Sequence, residues 1–534
     1  MPPDPHRPSR LYPALLLLAP LLAGLAWYCP PGQNIGDVCD LRFNLFIIEH
    51  GYQWLTGGVA DFWDAGIFYP ATHNTVAFSD HHIGNLPLYA LLRSCGLARE
   101  NALTVWLQLV CVLNFAAAAW VLKRLSGSTL GAAMGAYLFT FGMPMISQML
   151  HIQLWPRYFV PLAVYFWLAA LRTGAHRPLA LALAAVVGQL YTSMYTGIFL
   201  VELLGCFGLA HLILPATRPG LRAWLWPVQA ARVWTVRLGL VVLALLALLP
   251  AALPYLHAFR DLGGRSWPVV ASLLPTPLTY LSPPDHTLVW RALTGFGRWQ
   301  NTNGEYRMFV GGTLFLLAAL YWRARRLGRG LADETLLWTT LLTVLIAGLL
   351  TARLSKSLSL YYVLYLLPGV GSLRAITRIM LVLLLPLALL MALAVRALEA
   401  QMATWRRPWL RQLAGPGLLV VLLIDQTVLA YPHHVTGVDA PRLAAYAAAL
   451  RTRRQGFKAF AIVGPSTIVN ATDSLWVAQE TGFPTTSGYS GNFPKDWQFP
   501  ATRAEVSAWL DACNRSGKYG TPLRLDDIAI LEEK

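Results

Sequence analysis

Two aspartates, Asp37 and Asp40, have a spacing suited to acid–base chemistry and follow directly after the first long apolar run of the chain. In a helix, a spacing of three places both carboxylates on one face. A partly buried carboxylate near a membrane surface can act as a general base toward a hydroxyl group, and charges beside a span are costly to keep without a role. Alternatively, one of them caps the helix that begins near Leu41, because Asp is a favoured N-cap residue.

Four basic residues occur where membrane proteins usually avoid them, at the outer ends of predicted spans. They are Arg353, Lys356, Arg374 and Arg378. Arg374 and Arg378 are four positions apart, so they share a helical face and can bind one phosphate or diphosphate through charge-assisted hydrogen bonds. Alternatively, these residues pair with acids such as Glu305 or reach anionic lipid headgroups.

The sequence Asp80-His81-His82 suggests a divalent-metal site in the loop after the first span. If Mg²⁺ or Mn²⁺ binds there, we expect Asp37, Asp80 and His81 to hold it. Adjacent loop histidines point in opposite directions, however, so histidines that only form hydrogen bonds are the alternative. The candidate substrate-binding residues are Glu49, His50, Asp80, His81, His82 and His151.

The composition indicates a membrane protein that does not bind nucleic acid. The 534 residues are 56% hydrophobic and only 13% charged, whereas soluble chains carry about a quarter charged residues. The net charge of +16 is of the size seen in nucleic-acid-binding proteins. Here the basic residues cluster in short loops between apolar runs, as the positive-inside rule expects, so we predict no nucleic-acid partner.

The apolar runs predict a mainly α-helical, multi-pass membrane protein with about eleven spans. They lie near residues 11–28, 101–122, 128–146, 157–171, 178–195, 197–214, 238–258, 308–322, 335–352, 376–395 and 414–431. If the N-terminus is cytoplasmic, the basic loops all fall on the cytoplasmic side as the spans cross the membrane in alternate directions. An odd number of spans then places the segment after residue 431 outside the cytoplasm.

The predicted transmembrane domain, residues 1–431, includes a long first outer loop at residues 29–100. Within this loop, residues 43–55 and 85–97 have apolar side chains at helical spacing, interrupted by polar ones. This pattern predicts two short helices in the interface plane.

Residues 432–534 have an ordinary soluble composition and predict a small α/β domain. Its predicted elements are helices at 439–454 and 502–515 and strands at 457–463 and 527–531. The stretch 480–497 is rich in glycine, hydroxyl groups and aromatic rings. Such side chains suit carbohydrate recognition, but turn formation explains the same residues without a ligand.

The acidic motif Gly36-Asp-Val-Cys-Asp40 after span one, the long first outer loop, the late outer arginines and the C-terminal outer domain together resemble the GT-C superfamily of membrane glycosyltransferases. The Arg374-Ala-Ile-Thr-Arg378 segment also resembles one in uncharacterised bacterial inner-membrane proteins. In GT-C enzymes an acid of the first loop activates the acceptor. Many members have an adjacent Asp-Glu pair or a single Asp there, so the choice between Asp37 and Asp40 stays open.

The resemblance implies transfer of a sugar from a polyprenyl-phosphate donor to an acceptor hydroxyl on a glycan, lipid or protein. It implies a bacterial inner-membrane protein with a cytoplasmic N-terminus, a periplasmic C-terminal domain, and the late basic residues on the donor phosphate. One alternative is a lipid or polysaccharide transporter or flippase, which needs midspan charges. Midspan ionisable residues are few: Glu202 lies in one predicted span, and Asp425 lies in another near its outer end. The other alternative is a non-catalytic assembly protein.

Overall fold

The computed structural model describes residues 11–292, 304–331, 333–355, 358–367, 369–453, 456–519 and 522–533, and within these ranges the chain is mainly α-helical. Up to residue 431 the helices are α1 (Leu11–Tyr28), α2 (Val38–Leu55), α3 (Leu86–Ser94), α4 (Arg99–Ser126), α5 (Thr129–Phe141), α6 (Met143–Ile146), α7 (Phe159–Thr173), α8 (His176–Thr192), α9 (Met194–Ile213), α10 (Arg218–Leu225), α11 (Ala230–Leu262), α12 (Trp267–Ser272), α13 (Gly312–Arg326), α14 (Thr335–Thr351), α15 (Tyr361–Tyr365), α16 (Met380–Met402) and α17 (Pro408–Gln426).

Each of the eleven predicted spans overlaps one of these helices, and the span at 128–146 covers two of them, α5 and α6. Among the described residues, six helical segments are long and apolar enough to cross a membrane, and two shorter apolar helices, Tyr12–Tyr28 and Thr335–Thr351, accompany them. The six are Arg99–Ser126, Thr129–Ile146, Ile152–Thr173, Met194–Ile213, Ala230–Leu262 and Ile376–Met402. The chain is therefore a polytopic α-helical membrane protein, as predicted, while the number and orientation of its spans stay predictions.

Helix α16 forms the centre of the helical bundle and packs against α5, α13, α14 and α4. A Cβ atom at Gly131 or Gly135 of α5 would lie within 3.0 Å of backbone oxygens of α16. Small residues are needed there because two membrane helices approach closely only where side chains are short.

Helix α11, in contrast to α16, has few buried residues. Only 11% of its apolar window is buried, so we place it at the lipid boundary.

The first outer loop contains the two helices expected from the sequence, α2 and α3, and α2 begins earlier than predicted, at Val38. It begins there because Asp37 is its N-cap. The Asp37 carboxylate accepts hydrogen bonds from the backbone N–H groups of Cys39 (3.0 Å) and Asp40 (2.8 Å). Just before it, strand β1 (Gln33–Ile35) pairs antiparallel with β2 (His433–Val435), which joins the start of this loop to the C-terminal segment.

The C-terminal segment contains the four elements expected from the sequence, and also strand β2 and one helix that were not expected. Strands β3 (Ala459–Val463) and β4 (Ile528–Glu532) pair in parallel. The helices are α18 (Ala440–Arg453), α19 (Thr467–Thr481) and α20 (Arg503–Ser516). The unpredicted α19 packs against α2. The division of the chain into domains at residues 431 and 432 stays a prediction.

A buried ionic cluster also joins α2 to the C-terminal segment. The Arg42 guanidinium contacts the carboxylates of Asp439 and Asp473, and Asp473 additionally accepts a hydrogen bond of 2.9 Å from Arg442 Nε. Asp473 and Arg42 are almost completely buried. The attraction of two carboxylates offsets the free-energy cost of removing the guanidinium from water. The cluster therefore fixes the C-terminal segment against the helix that contains Asp40.

Candidate functional site

A cavity of about 600 Å³ lies where the first outer loop, α9, α11, the segment before α16 and the C-terminal segment meet. Its volume is in the range of sites that bind small molecules. The polar or charged residues on its wall include Asp40, Asn44, Ser79, Asp80, His151, Gln153, Arg265, Arg374, Arg378, Tyr489, Ser490 and Asn492. Carboxylates from the start of the chain and guanidinium groups from late in the chain therefore face one hollow.

Asp40 is held in this cavity by two hydrogen-bond donors. The Tyr489 hydroxyl donates to Oδ1 over 2.6 Å, and His151 Nδ1 lies 2.8 Å from Oδ2. Burial alone raises the pKa of the Asp40 carboxyl, but the hydrogen bonds from His151 and Tyr489 and the positive charge of Arg378 bring the net pKa below its ordinary value. Asp40 is thus a carboxylate at neutral pH.

His151 connects Asp40 to a second, buried carboxylate. Its Nε2 atom lies 3.5 Å from Glu305 Oε1. Burial and the charge of Arg378 lower the pKa of His151, yet the two carboxylates outweigh them and the net pKa is raised. The protonated imidazole, in which both ring nitrogens donate, is therefore stabilised relative to a histidine in water.

Glu305 in turn binds Arg378. The Arg378 Nε atom lies 3.1 Å from each Glu305 oxygen, and Nη2 also contacts Oε1. Burial raises the pKa of the Glu305 carboxyl, but Arg378 and His151 outweigh it and hold the pKa well below its usual range. The Arg378 guanidinium also lies 5.1 Å from the centre of the Tyr195 ring. Arg378 therefore pairs with Glu305, as the alternative interpretation of the late basic residues expected. It also lines the cavity.

Arg374 and Arg265 form the basic part of the cavity wall. Arg374 is exposed, while Arg265 is partly buried and donates from Nη2 to the backbone oxygen of Gly491. Burial lowers the pKa of Arg265, and the charge of Arg374 lowers it further, because the two cations repel each other. Two neighbouring cations at the edge of a hollow are a favourable site for a phosphate.

Of the other two predicted phosphate ligands, the structure describes only Arg353. Arg353 does not line the cavity, and its backbone N–H donates to Pro275. Lys356 lies outside the described residues. Asp37 is also absent from the cavity wall, because its carboxylate caps α2 as the alternative interpretation expected.

Glu49 and His50 form contacts within the protein, away from the cavity wall. Glu49 accepts hydrogen bonds from Tyr89 (2.6 Å) and from Arg93 Nε (2.9 Å). The His50 Nε2 atom lies 3.0 Å from the backbone oxygen of Phe62. We therefore assign both residues a role in fixing α2 and the first outer loop, in place of the substrate contact expected from the sequence.

The Asp80-His81-His82 segment is buried, and only Asp80 reaches the cavity wall. The Asp80 carboxylate accepts from the backbone N–H of Met194 (2.7 Å) at the start of α9, and burial raises its pKa to about 6. The His82 Nε2 atom lies 2.9 Å from Asn44 Oδ1. Burial lowers the pKa of His81 to about 3 and of His82 to about 4, so both are neutral.

The proposed metal ligands do not fit a metal centre. Within the described ranges no group of three His, Cys, Asp or Glu side chains has the proximity to hold an ion. Asp37 and Asp80 are occupied by backbone N–H groups, and His81 Nδ1 accepts from the N–H of Ile83 at 3.0 Å. The expected set of Asp37, Asp80 and His81 is therefore corrected, because each member serves a local backbone turn or helix end.

Two residues of the site were not identified from the sequence. Arg265 follows the end of α11 that the predicted topology places outside the cytoplasm, so the positive-inside rule that selected Arg374 would also have selected Arg265. Tyr489 lies within the aromatic and hydroxyl-rich stretch 480–497. Its contact with Asp40 spans 449 positions of the chain, and no local pattern indicates such a pairing.

No protein-family model and no curated protein matches this chain. Among solved structures, it is similar to the cryo-EM structure of the arabinofuranosyltransferase AftD from Mycobacteria, with a TM-score of 0.48 and 16% sequence identity. The match covers 91% of this chain and 32% of that chain, so this protein spans about a third of the length of the one it matches. Similarity at this level does not assign an activity.

Proposed function

We propose that this protein is a membrane glycosyltransferase that moves a sugar from a polyprenyl-phosphate donor to an acceptor hydroxyl, with Asp40 as the general base. The observation that supports it most directly is that Asp40 and Arg374 line the same cavity. A carboxylate for the incoming nucleophile and a guanidinium for the departing phosphate are the two charges that this transfer requires.

In the proposed reaction the acceptor oxygen attacks the anomeric carbon of the donor sugar while its proton passes to the Asp40 carboxylate. The bond from the anomeric carbon to the phosphate oxygen breaks, and the polyprenyl phosphate leaves with the electron pair. Arg374 and Arg265 stabilise the charge that develops on the phosphate. His151 and Tyr489 orient the Asp40 carboxylate through their hydrogen bonds.

The position of the cavity suits a donor with a long apolar chain. Helix α11, which is the least buried of the long apolar helices in the described part of the chain, contributes Leu256 and Phe259 to the wall, and both side chains are exposed. A polyprenyl chain that lies in the bilayer against α11 then presents its phosphate to Arg265 and Arg374. The polar acceptor arrives from the aqueous side, where we place the C-terminal segment. This arrangement fits a site on the periplasmic face of a bacterial inner membrane.

No step of the proposed reaction is assigned to a metal. The candidate ligands Asp37, Asp80 and His81 are committed to backbone N–H groups, and the phosphate charge is met by two guanidinium groups. The proposed reaction relies on acid–base and electrostatic catalysis by residues of the chain itself.

The experiment is transfer from radiolabelled polyprenyl-phosphate hexoses and pentoses by the full chain in nanodiscs, with Asp40→Asn as the test variant. We expect transfer by the wild type and its loss in Asp40→Asn. Full transfer by Asp40→Asn would remove the catalytic assignment. Movement of labelled lipid across proteoliposomes without any sugar transfer would instead identify a flippase.

A further inference from the structure

The C-terminal loop that contains Tyr489 forms one wall of the cavity, directly beside Asp40. Tyr489, Ser490, Gly491, Asn492 and Phe493 all line it. The loop is fixed from two sides. Asn492 Nδ2 donates to the backbone oxygen of Phe78 over 3.1 Å, and Arg265 donates to the backbone oxygen of Gly491.

Aromatic rings give this wall flat apolar faces. The Tyr489 ring lies 5.7 Å from Phe43 and 6.2 Å from Phe499 between ring centres. Phe493 stacks on Trp497 at 5.2 Å and keeps 36% of its surface exposed. An exposed phenylalanine supported from behind by another ring presents a rigid face, whose negative potential attracts polarised C–H groups.

Polar groups lie between these rings. Ser490 is only 6% exposed, and within the described part of the chain its hydroxyl has no hydrogen-bond partner. A buried hydroxyl without a partner is costly, typically about 1–3 kcal/mol, and such a group calls for an explanation. Ser490 also lines the cavity, so a hydroxyl group of a bound molecule becomes a partner once the serine side chain turns toward it.

We propose that the loop from Tyr489 to Phe493 is the acceptor subsite and that the acceptor is a carbohydrate. Sugars combine faces of polarised C–H groups with a rim of hydroxyls, which matches a wall of ring faces interrupted by Ser490 and Asn492. The inference rests on the proposed function and specifies its acceptor as a glycan, as opposed to a lipid or protein without sugar.

The position of Asp40 decides which substrate binds to this loop. A general base has to lie within hydrogen-bond reach of the acceptor hydroxyl, and the Tyr489 hydroxyl is already 2.6 Å from Asp40. The side chains that attract the donor phosphate, Arg265 and Arg374, belong to other segments of the chain, and Arg265 contacts the loop at the backbone oxygen of Gly491. The loop therefore contacts the nucleophile, and Tyr489 positions the base that receives its proton.

The test separates sugar binding from catalysis by measuring both on the full chain in nanodiscs. The probes are methyl glycosides and disaccharides of glucose, galactose, mannose and arabinose, titrated by saturation-transfer NMR. The variants are Phe493→Ala and Ser490→Ala. Their matched controls are Tyr519→Ala, whose ring is similarly exposed at 39% in the same C-terminal segment, and Ser487→Ala, whose buried hydroxyl also has no partner in the described ranges but does not line the cavity.

We expect Phe493→Ala to raise the dissociation constant of the bound glycoside roughly three- to ten-fold, the size expected for loss of one ring contact. Ser490→Ala should raise it several-fold, and both controls should leave it unchanged. The two control variants should also leave the KM for donor and the hydrolysis of donor by water unchanged. Glycoside binding that the Phe493 and Ser490 variants leave unchanged, or no binding of any probe to the wild type, would overturn the subsite.

Failure of the proposed function would give different results from failure of the acceptor subsite. If the wild type transfers no sugar while its glycoside binding still depends on Phe493 and Ser490, the loop is a carbohydrate site without glycosyl transfer. If transfer depends on Asp40 while no variant of the loop alters acceptor KM, the enzyme assignment stands and the acceptor subsite is wrong.

Discussion

The hydroxyl of Tyr489 donates a hydrogen bond of 2.6 Å to the carboxylate of Asp40, across 449 positions of the chain. Asp40 belongs to a helix of the first outer loop, and Tyr489 belongs to the C-terminal segment. The same two parts of the chain are joined by the pairing of β1 with β2 and by the Arg42–Asp473 ion pair. The orientation of the proposed base therefore depends on how the C-terminal segment docks, so changes on either side should alter catalysis.

The two aspartates of the first loop should respond differently to substitution. Asp40→Asn removes the proposed base, so we expect transfer to fall roughly 10²- to 10⁴-fold, the usual contribution of general base catalysis. Asp37→Ala removes only an N-cap and should lower the free energy of unfolding by about 0.5–2 kcal/mol while transfer persists. Initial rates and chemical denaturation of both variants in the same detergent measure this difference. Loss of transfer in Asp37→Ala without loss of stability would contradict it.

The pH dependence of transfer should follow the depressed pKa of Asp40. A base whose pKa lies below its ordinary value stays ionised through neutral pH, so transfer should fall only on the acid side. Tyr489→Phe removes one of the hydrogen bonds that lower this pKa, and the acid limb of kcat/KM should then move upward by about one pH unit. Tyr519→Phe, which alters an exposed hydroxyl in the same segment, is the control. An unmoved limb in Tyr489→Phe would show that Asp40 is not the titrating base.

His151 adds a second pH effect, on stability. Its pKa is raised in the folded protein, so its contribution is complete below the unfolded pKa of about 6.5 and is lost as the pH rises through the folded value. His151→Gln should therefore destabilise the protein more in mildly acidic buffer than in alkaline buffer. Thermal unfolding of wild type and His151→Gln at several pH values tests this. An equal loss of stability at every pH would mean that the charged imidazole contributes nothing.

Sequence periodicity predicted the helices well because apolar runs bounded by basic loops depend on local composition alone. Local patterns also predicted the helices and strands at 439–454, 457–463, 502–515 and 527–531. The bounds of these elements in the structure lie within a few residues of the predicted ones. Helix α19 was missed because its buried polar residues, among them Asn470 and Asp473, obscure the helical apolar pattern. Their burial depends on partners far along the chain, as Asp473 shows with Arg42.

The site was partly predictable for the same physical reason. Asp40 and Arg374 could be selected because each carries charge near a predicted membrane boundary, which is costly without a role. The sequence did not separate Asp40 from Asp37, since both fit a helix start. Only the structure distinguishes them, by placing one carboxylate on backbone N–H groups and the other on His151 and Tyr489.

Donor recognition should depend on Arg374 and not on Arg353. Arg374 lines the cavity and is exposed to it, whereas Arg353 does not line it. A hydrogen bond to a charged group contributes about 1.5–3 kcal/mol, so Arg374→Ala should raise the donor KM or lower kcat/KM by roughly 10- to 100-fold. Arg353→Ala is the matched control and should behave as wild type. Equal effects of the two substitutions on donor kinetics would remove Arg374 from the phosphate site.

The buried pair of Glu305 and Arg378 should be more important for stability than any exposed ion pair of the chain. Both side chains are less than a tenth exposed, so Glu305→Gln leaves the Arg378 charge buried without its carboxylate and should cost about 3–5 kcal/mol of unfolding free energy. The exposed pair Arg503–Glu532 provides the control, since Glu532→Gln should cost about 0–1 kcal/mol. Adding Arg378→Met to Glu305→Gln removes the uncompensated charge and should recover part of the loss. Chemical denaturation of Glu305→Gln, Arg378→Met and the double variant measures the coupling free energy between the two side chains. If the loss of unfolding free energy in the double variant equals the sum of the losses in the two single variants, the two groups do not act as a pair.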